Sequence, residues 1–226
     1  MKKTVMIVDD QDELRESIST FLQNEGYHTL NARNGDEALR LLEDKQQNID
    51  IILLDVMMPE MDGIEACEQI RKIPELSNTI ITFLTARSED YSQMAGFDAG
   101  ADDYITKPIK PKVLISKVKA LLRRLKQEEP SQGILEIGQL IINREEYKIS
   151  NNGIEIILPR KEFELLSLLA TKPNKVFKRE EILDKVWGNE VVVGGRTIDV
   201  HIRKLREKIG DDCFKTVKGV GYKFVD

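Results

Sequence analysis

Two cysteines in 226 residues, Cys67 and Cys213, stand far apart and form no CxxC spacing. That excludes a zinc ribbon or a dithiol redox pair, and both are expected as reduced thiols. Histidine is as scarce. His28 and His201 have no second His or Cys beside them, so neither is expected to ligate a metal or act in catalysis. No run of about 18 apolar residues occurs, which excludes a transmembrane helix. The segment Met1–Val8 carries two lysines and a short apolar stretch that Asp9 and Asp10 end at once. It is too short for a secretory signal and lacks a small-residue cleavage site. It is expected to be a buried strand of a cytoplasmic protein. Internal repeats and low-complexity segments are absent as well.

Excess positive charge is also missing: the net charge is −5. That argues mildly against nucleic acid as a partner, but the distribution matters more. Residues 1–126 hold 17 basic and 22 acidic residues, whereas residues 127–226 hold 17 of each. Within the second part, Arg196 to Lys223 carries eight basic and four acidic residues. A local basic zone on an acidic chain can still hold a polyanion.

The first part alternates between two periods. Nearly continuous apolar runs at Val5–Val8, Ile51–Leu54 and Ile80–Leu84, with weaker ones at Tyr27–Leu30 and Tyr104–Ile105, mark strands buried on both faces. Helical spacing joins Leu14, Ile18, Phe21 and Leu22; Ala38, Leu41 and Leu42; Ile64, Cys67 and Ile70; and Val113, Lys117, Val118 and Leu121. Five strands alternating with helices predict a doubly wound α/β domain over 1–125, with its site at the carboxyl ends of the strands. The polar stretch 126–133, with Pro130 and Gly133, reads as a linker. Residues 134–226 read as an α+β domain. Four short strands come first (Ile134–Ile137, Leu140–Asn143, Tyr147–Ser150, Ile154–Leu158), with a hairpin turn at Asn151-Asn152-Gly153. Three helices (Lys161–Ala170, Arg179–Val186, Arg196–Lys208) and a last hairpin over Lys215–Val225 follow.

Asp9 and Asp10 follow the first strand, and Asp55 follows the third. In a parallel sheet these ends converge, and three carboxylates in one crevice repel one another unless a cation neutralises them. Mg²⁺ fits, being hard and oxygen-loving. Thr85 and Lys107, at the ends of the fourth and fifth strands, add a hydroxyl and an ammonium. Each alone would be an ordinary strand-end residue; the set is not.

These residues resemble the receiver domain of response regulators. The matching stretches are Val8-Asp9-Asp10, Leu54-Asp55-Val56-Met57-Met58-Pro59 with Asp62-Gly63, Leu84-Thr85-Ala86, and Gly100-Ala101-Asp102-Asp103-Tyr104 running to Lys107-Pro108. The resemblance implies that Asp55 accepts a phosphoryl group from a sensor histidine kinase. It implies that Asp9, Asp10, Asp55 and the Met57 backbone carbonyl hold Mg²⁺, and that Lys107 neutralises phosphoryl charge. A cis Lys107–Pro108 bond is implied too. Thr85 would donate its hydroxyl to the new phosphoryl oxygen, and Tyr104 would turn into the space Thr85 leaves.

The family relays this switch through its fourth helix, fifth strand and fifth helix, where two receivers pair. Asp103 with Lys117 is the expected cross-dimer pair, with Arg124 contributing. Gln93 and Val113 depart from the family's pattern of a base and a Glu, so one bridge is lost without leaving an unpaired charge.

On the helix Arg196–Lys208, Ile198, Ile202, Leu205 and Ile209 form a core stripe. Arg196, Val200, Arg203, Lys204 and Glu207 fall largely on another face. The segment resembles the winged-helix effector of the OmpR/PhoB class. Glu162-Phe163-Glu164-Leu165-Leu166, Val186-Trp187-Gly188, Arg196 to Arg206 and Thr216 to Tyr222 carry the match. It implies promoter contacts by Arg196, Val200, Arg203, Lys204, Arg206 and Thr216, with Lys218 entering the minor groove. The loop Gly188–Gly195 would face RNA polymerase. Pro159 stands where the family often has Thr; it cannot give a hydroxyl cap but suits a helix start. Trp187 is expected in the core.

The chain is thus expected to be a phosphorylation-controlled transcription regulator that pairs as a homodimer, with no chemistry beyond phosphotransfer and dephosphorylation at Asp55. The enzymatic rival, a haloacid dehalogenase type of phosphatase, needs two aspartates two apart on one strand; here they are adjacent. A constitutive DNA binder would leave all five strand-end groups without a task.

Overall fold

A computed structural model describes residues 2–43, 48–86, 99–127, 133–188 and 196–225. The chain divides into two compact units, Met1–Leu125 and Lys126–Asp226.

In the first unit, five parallel strands run in the order β2-β1-β3-β4-β5. They are β1 (Thr4–Val8), β2 (His28–Ala32), β3 (Ile51–Asp55), β4 (Ile80–Ala86) and β5 (Asp103–Lys107). Side chains alternate across a strand, so continuous apolar runs serve both faces. Met6, Val8, Ile52, Leu54, Ile81 and Phe83 pack under α2 (Gly35–Leu42) and α3 (Gly63–Arg71). Val5, Ile7, Ile51, Leu53, Leu84 and Ile105 pack under α1 (Asp12–Asn24) and α4 (Pro111–Gln127). The last of these is the helix counted as fifth in the sequence reading, because residues 87–98 lie outside the described residues. Asn34 and Asp62 cap α2 and α3 by accepting from Glu37 and Glu65 N–H groups. Val113, placed on a core-spaced stripe by its sequence, is 53% exposed. It lies in the first turn of α4, ahead of the buried Leu114, Val118 and Leu121.

One buried ion pair ties this unit together away from the acidic crevice. The Arg71 guanidinium donates to Gly100 O, Leu76 O, Thr79 O and Asp102 Oδ2, the last at 2.7 Å. Asp102 Oδ2 also accepts the Ile81 N–H. A buried charge needs partners of this kind, and here they gather on Oδ2 of Asp102, while its buried Oδ1 has none among the described residues.

In the second unit, β6 (Ile134–Ile137), β7 (Leu140–Asn143), β8 (Lys148–Asn151) and β9 (Ile154–Ile156) form an antiparallel meander. Asn152 and Gly153 both take positive φ in the two-residue turn between β8 and β9. Then come α5 (Arg160–Ala170), α6 (Arg179–Ile182), a π-helical turn at Leu183–Trp187, and α7 (Arg196–Ile209). Pro159 starts α5 without a side-chain cap, as its sequence position suggested. A three-stranded sheet, β10-β12-β11, closes the unit. Its strands are β10 (Phe177–Lys178), β11 (Phe214–Val217) and β12 (Gly221–Phe224). Strand β10, only two residues long, had no separate signal in the sequence. Gly221 is required where β12 meets β10, since a Cβ there would sit 1.9 Å from Phe177 O.

Candidate functional site

The crevice forms where the order of the sheet reverses, at the carboxyl ends of β1 and β3, the place where doubly wound sheets bind ligands. Asp9 follows β1 directly and Asp55 ends β3. Asp9, Asp10 and Asp55 each bring one carboxylate oxygen within 4.8 Å of the others. Asp9 and Asp55 are buried and Asp10 is exposed. Lys107, at the end of β5, donates to Asp55 Oδ2 at 2.8 Å and to Asp9 Oδ2 at 3.0 Å. The peptide bond after it is cis.

Burial pushes the Asp55 carboxyl above its ordinary value, even though Lys107 and a backbone hydrogen bond from Met57 favour its charged form; nearby Asp9 adds to the rise. Burial works against the Lys107 charge, but its bonds to the two carboxylates outweigh that and raise it overall. The donors are all hard carboxylate oxygens close together, and this suits a small divalent cation. Gly63 makes the geometry possible: a Cβ there would lie 2.0 Å from Asp55 O.

Thr85 is buried on β4, one residue past Leu84, the register partner of Asp55. Tyr104 is half-buried on β5, opposite Phe83. The Met57 side chain points out, 67% exposed. The sheet therefore brings Asp9, Asp10, Asp55, Thr85 and Lys107 to one edge. The sequence reading did not single out Arg15, whose buried guanidinium donates to the Asp9 main-chain carbonyl at 2.6 Å. Its helical position beside two acids reads on sequence as an ordinary surface pair.

The pair expected across a dimer closes within one chain: Lys117 Nζ lies 3.0 Å from Asp103 Oδ1, and Asp103 is buried. Lys117 also donates to Tyr104 O and sits 5.2 Å from the Tyr104 ring centroid. A short path between β5 and α4 lets a lysine reach its own strand. Helix α4 includes Arg124, whose side chain lies outside the described set, and Gln93 lies outside the described residues.

On α7, the expected core stripe is buried: Ile198, Ile202, Leu205 and Ile209. Val200 lies about half a turn around the helix from both Ile198 and Ile202, across from that stripe, and is 8% exposed. Arg203 is exposed and pairs with Glu207 at 2.6 Å. Arg206 is bound to the following strand, donating to Phe214 O at 2.9 Å and Thr216 Oγ1 at 3.1 Å. Lys204 is half-buried, and Thr216 and Lys218 are exposed. Arg196 starts α7, but its side chain is outside the described set, as is most of the loop Gly188–Gly195.

A second cluster was not read from the sequence. Arg179 donates to Asp199 Oδ1 at 2.5 Å and to the Tyr222 hydroxyl at 3.1 Å, and that hydroxyl donates to Asp199 at 2.5 Å. It joins α6, α7 and β12. Burial first, then the Asp199 carboxylate, pushes the Tyr222 phenol up to about 12. His201 is buried against Trp187, ring centroids 5.1 Å apart, with Nδ1 2.9 Å from Thr197 O. Burial holds its imidazole below the usual range. It is a packing residue.

Fold and site together define a class: an acidic strand-end switch domain followed by a winged-helix module with a basic third helix. Residues 5–119 match the response regulator receiver domain, and residues 153–224 match the family described as transcriptional regulatory protein, C terminal. The chain is 41% identical to the transcriptional regulatory protein ResD of Bacillus subtilis, over 97% of this chain and 95% of that one. It is 40% identical to SrrA of Staphylococcus aureus, over 99% and 96%. Among solved structures, a mutant of RitR superposes with a TM-score of 0.80 at 26% identity, covering 99% of both chains. DrrB of Thermotoga maritima, an OmpR/PhoB homologue, aligns with a TM-score of 0.51 at 34% identity over both full chains. The chain belongs to the OmpR/PhoB family of two-component response regulators. It is a transcriptional regulator and not a classical enzyme. No helix among the described residues is long and apolar enough to cross a membrane.

Proposed function

We propose that Asp55 is the phosphoacceptor through which a sensor histidine kinase controls promoter binding by the second unit. The observation that carries this is the convergence of Asp9, Asp10, Asp55 and Lys107 on one strand edge. An Asp55 carboxylate oxygen attacks phosphorus, and the bond from phosphorus to the kinase imidazole nitrogen breaks in line. Lys107 neutralises charge on the transferred oxygens. Asp9, Asp10, Asp55 and the Met57 carbonyl would hold Mg²⁺, which when bound supplies charge neutralisation and orientation of the phosphoryl group. Dephosphorylation returns the group to water at the same site.

Thr85, once its hydroxyl donates to the new phosphoryl oxygen, moves toward Asp55. Tyr104 then turns inward, a packing change biased by one local charge event. For that, Tyr104 must leave its present contact with Lys117. Homodimerisation would use the surface carrying Asp103, Lys117 and Arg124, with Lys117 exchanging its own Asp103 for that of the partner. In the cytoplasm, Arg196, Val200, Arg203, Lys204, Thr216 and Lys218 would contact promoter DNA. Arg206 would serve by tying α7 to β11 as well as by its charge. RNA polymerase would meet the loop Gly188–Gly195.

Promoter binding is measured for wild type and Asp55→Ala, with and without Mg²⁺ and a small phosphoryl donor. Tightening in wild type alone is expected. Equal binding by both proteins under both conditions replaces this reading with a constitutive DNA binder.

A further inference from the structure

Arg15 has no task in the scheme above, yet it is buried at 9% exposure beside the acidic cluster. Nη1 donates to the Asp9 main-chain carbonyl at 2.6 Å, and Nη2 pairs with the exposed carboxylate of Asp12. Asp9 is held at further points: its N–H donates to Ala32 O at 3.2 Å, and its carboxylate accepts from the Gln11 N–H and from Lys107, both at 3.0 Å. Burying a guanidinium is costly unless its donors are used. Here one donor grips the backbone where the chain leaves β1, with Asp9 buried and Asp10 exposed.

We infer that Arg15 is a positioning residue for the acidic cluster, anchoring the Asp9 carbonyl so that the carboxylates of Asp9 and Asp10 point at one place. The oxygen that Arg15 holds belongs to the planar peptide joining Asp9 to Asp10. Restraining that plane restrains ψ of Asp9 and φ of Asp10, and with them the directions of both side chains. The inference rests on the proposal that this cluster binds Mg²⁺. Groups that orient metal ligands from behind typically cost 10–100-fold in affinity when removed. A purely electrostatic role has the opposite sign. A fixed cation beside the cluster repels Mg²⁺, and its loss would tighten binding.

Isothermal titration of Mg²⁺ into the full chain separates these cases, using wild type, Arg15→Met, Arg15→Lys and Asp12→Asn, each also checked for its thermal transition. Arg15→Met is expected to bind Mg²⁺ about 10–100-fold more weakly. Arg15→Lys should fall between, since an ammonium still donates to the same carbonyl, and Asp12→Asn should match wild type. Equal or tighter binding by a folded Arg15→Met overturns the inference. If that variant does not fold, Arg15→Lys decides: affinity equal to wild type overturns it, and partial loss supports it. A wild type that takes up no Mg²⁺ removes the metal proposal, and the inference falls with it. A wild type that binds while the Arg15 variants bind equally well removes the inference alone.

Discussion

At the end of β3, Asp55 sits where burial disfavours its charge, and one ammonium only partly compensates. Its folded-state pKa is raised, so its contribution to stability is present below the ordinary value of 3.8 and is lost as pH rises through the folded value. An ionised Asp55 is therefore a burden on the metal-free fold at neutral pH. Asp55→Asn should raise the melting temperature of the receiver at pH 7 without Mg²⁺, and the difference should close in acid; calorimetry across pH checks both. Tyr222 offers the same logic at the other end of the scale. Its phenol is pushed up to about 12, so stability falls as pH rises from about 10 to 12. Tyrosinate absorbance should show a late step in the titration, and Tyr222→Phe should remove it.

The elements place these groups by close approach. Helix α3 begins so near β3 that only glycine fits at position 63. Gly63→Ala must move either the helix or the Asp55 backbone. Denaturant unfolding should show a loss of roughly 1–3 kcal/mol, the usual cost of overpacking. Phosphorylation by a small donor should slow with it, because the moved carbonyl belongs to Asp55, the proposed phosphoacceptor. A receiver that keeps its stability and its rate would show that the loop absorbs the extra methyl. In the second unit the analogous constraint falls on Gly221, and the Arg179–Asp199–Tyr222 cluster joins α6, α7 and β12.

For the whole molecule, charge works locally, since an acidic chain carries its basic zone on α7 and the last hairpin. Affinity for promoter DNA should fall linearly in log–log form with salt, and Arg203→Ala should lower that slope by about 1 if Arg203 contacts a phosphate. Val200→Ala should leave the slope unchanged. It should cost roughly 1–2 kcal/mol of stability instead, because two buried methyl groups are lost. Fluorescence anisotropy over a salt series and a denaturant titration read these outcomes separately.

In the first unit the sequence by itself determined which segments form the five strands and, within a residue or two, where they end. Apolar runs without alternation can be satisfied only in a sheet covered on both faces, and Asp9, Asp55 and Lys107 stand at the chain positions where those runs stop. The stripe Ile198, Ile202, Leu205, Ile209 was legible for the same reason, since burial along one helix face leaves a period. Tertiary structure decided what periodicity cannot carry. Arg160, Lys161 and Glu162 are buried on α5, although charged runs read as solvated surface. Val200 is only 8% exposed although it lies across α7 from the apolar stripe. Lys117 takes an Asp103 of its own chain, Arg15 turns back to the Asp9 carbonyl ahead of its own helix, and Arg71 reaches Gly100 O and the Asp102 carboxylate across the fold. A long cationic side chain reaches several ångströms in many directions. Which acceptor it finds depends on the packing of neighbouring elements, and that is set only once the chain has folded.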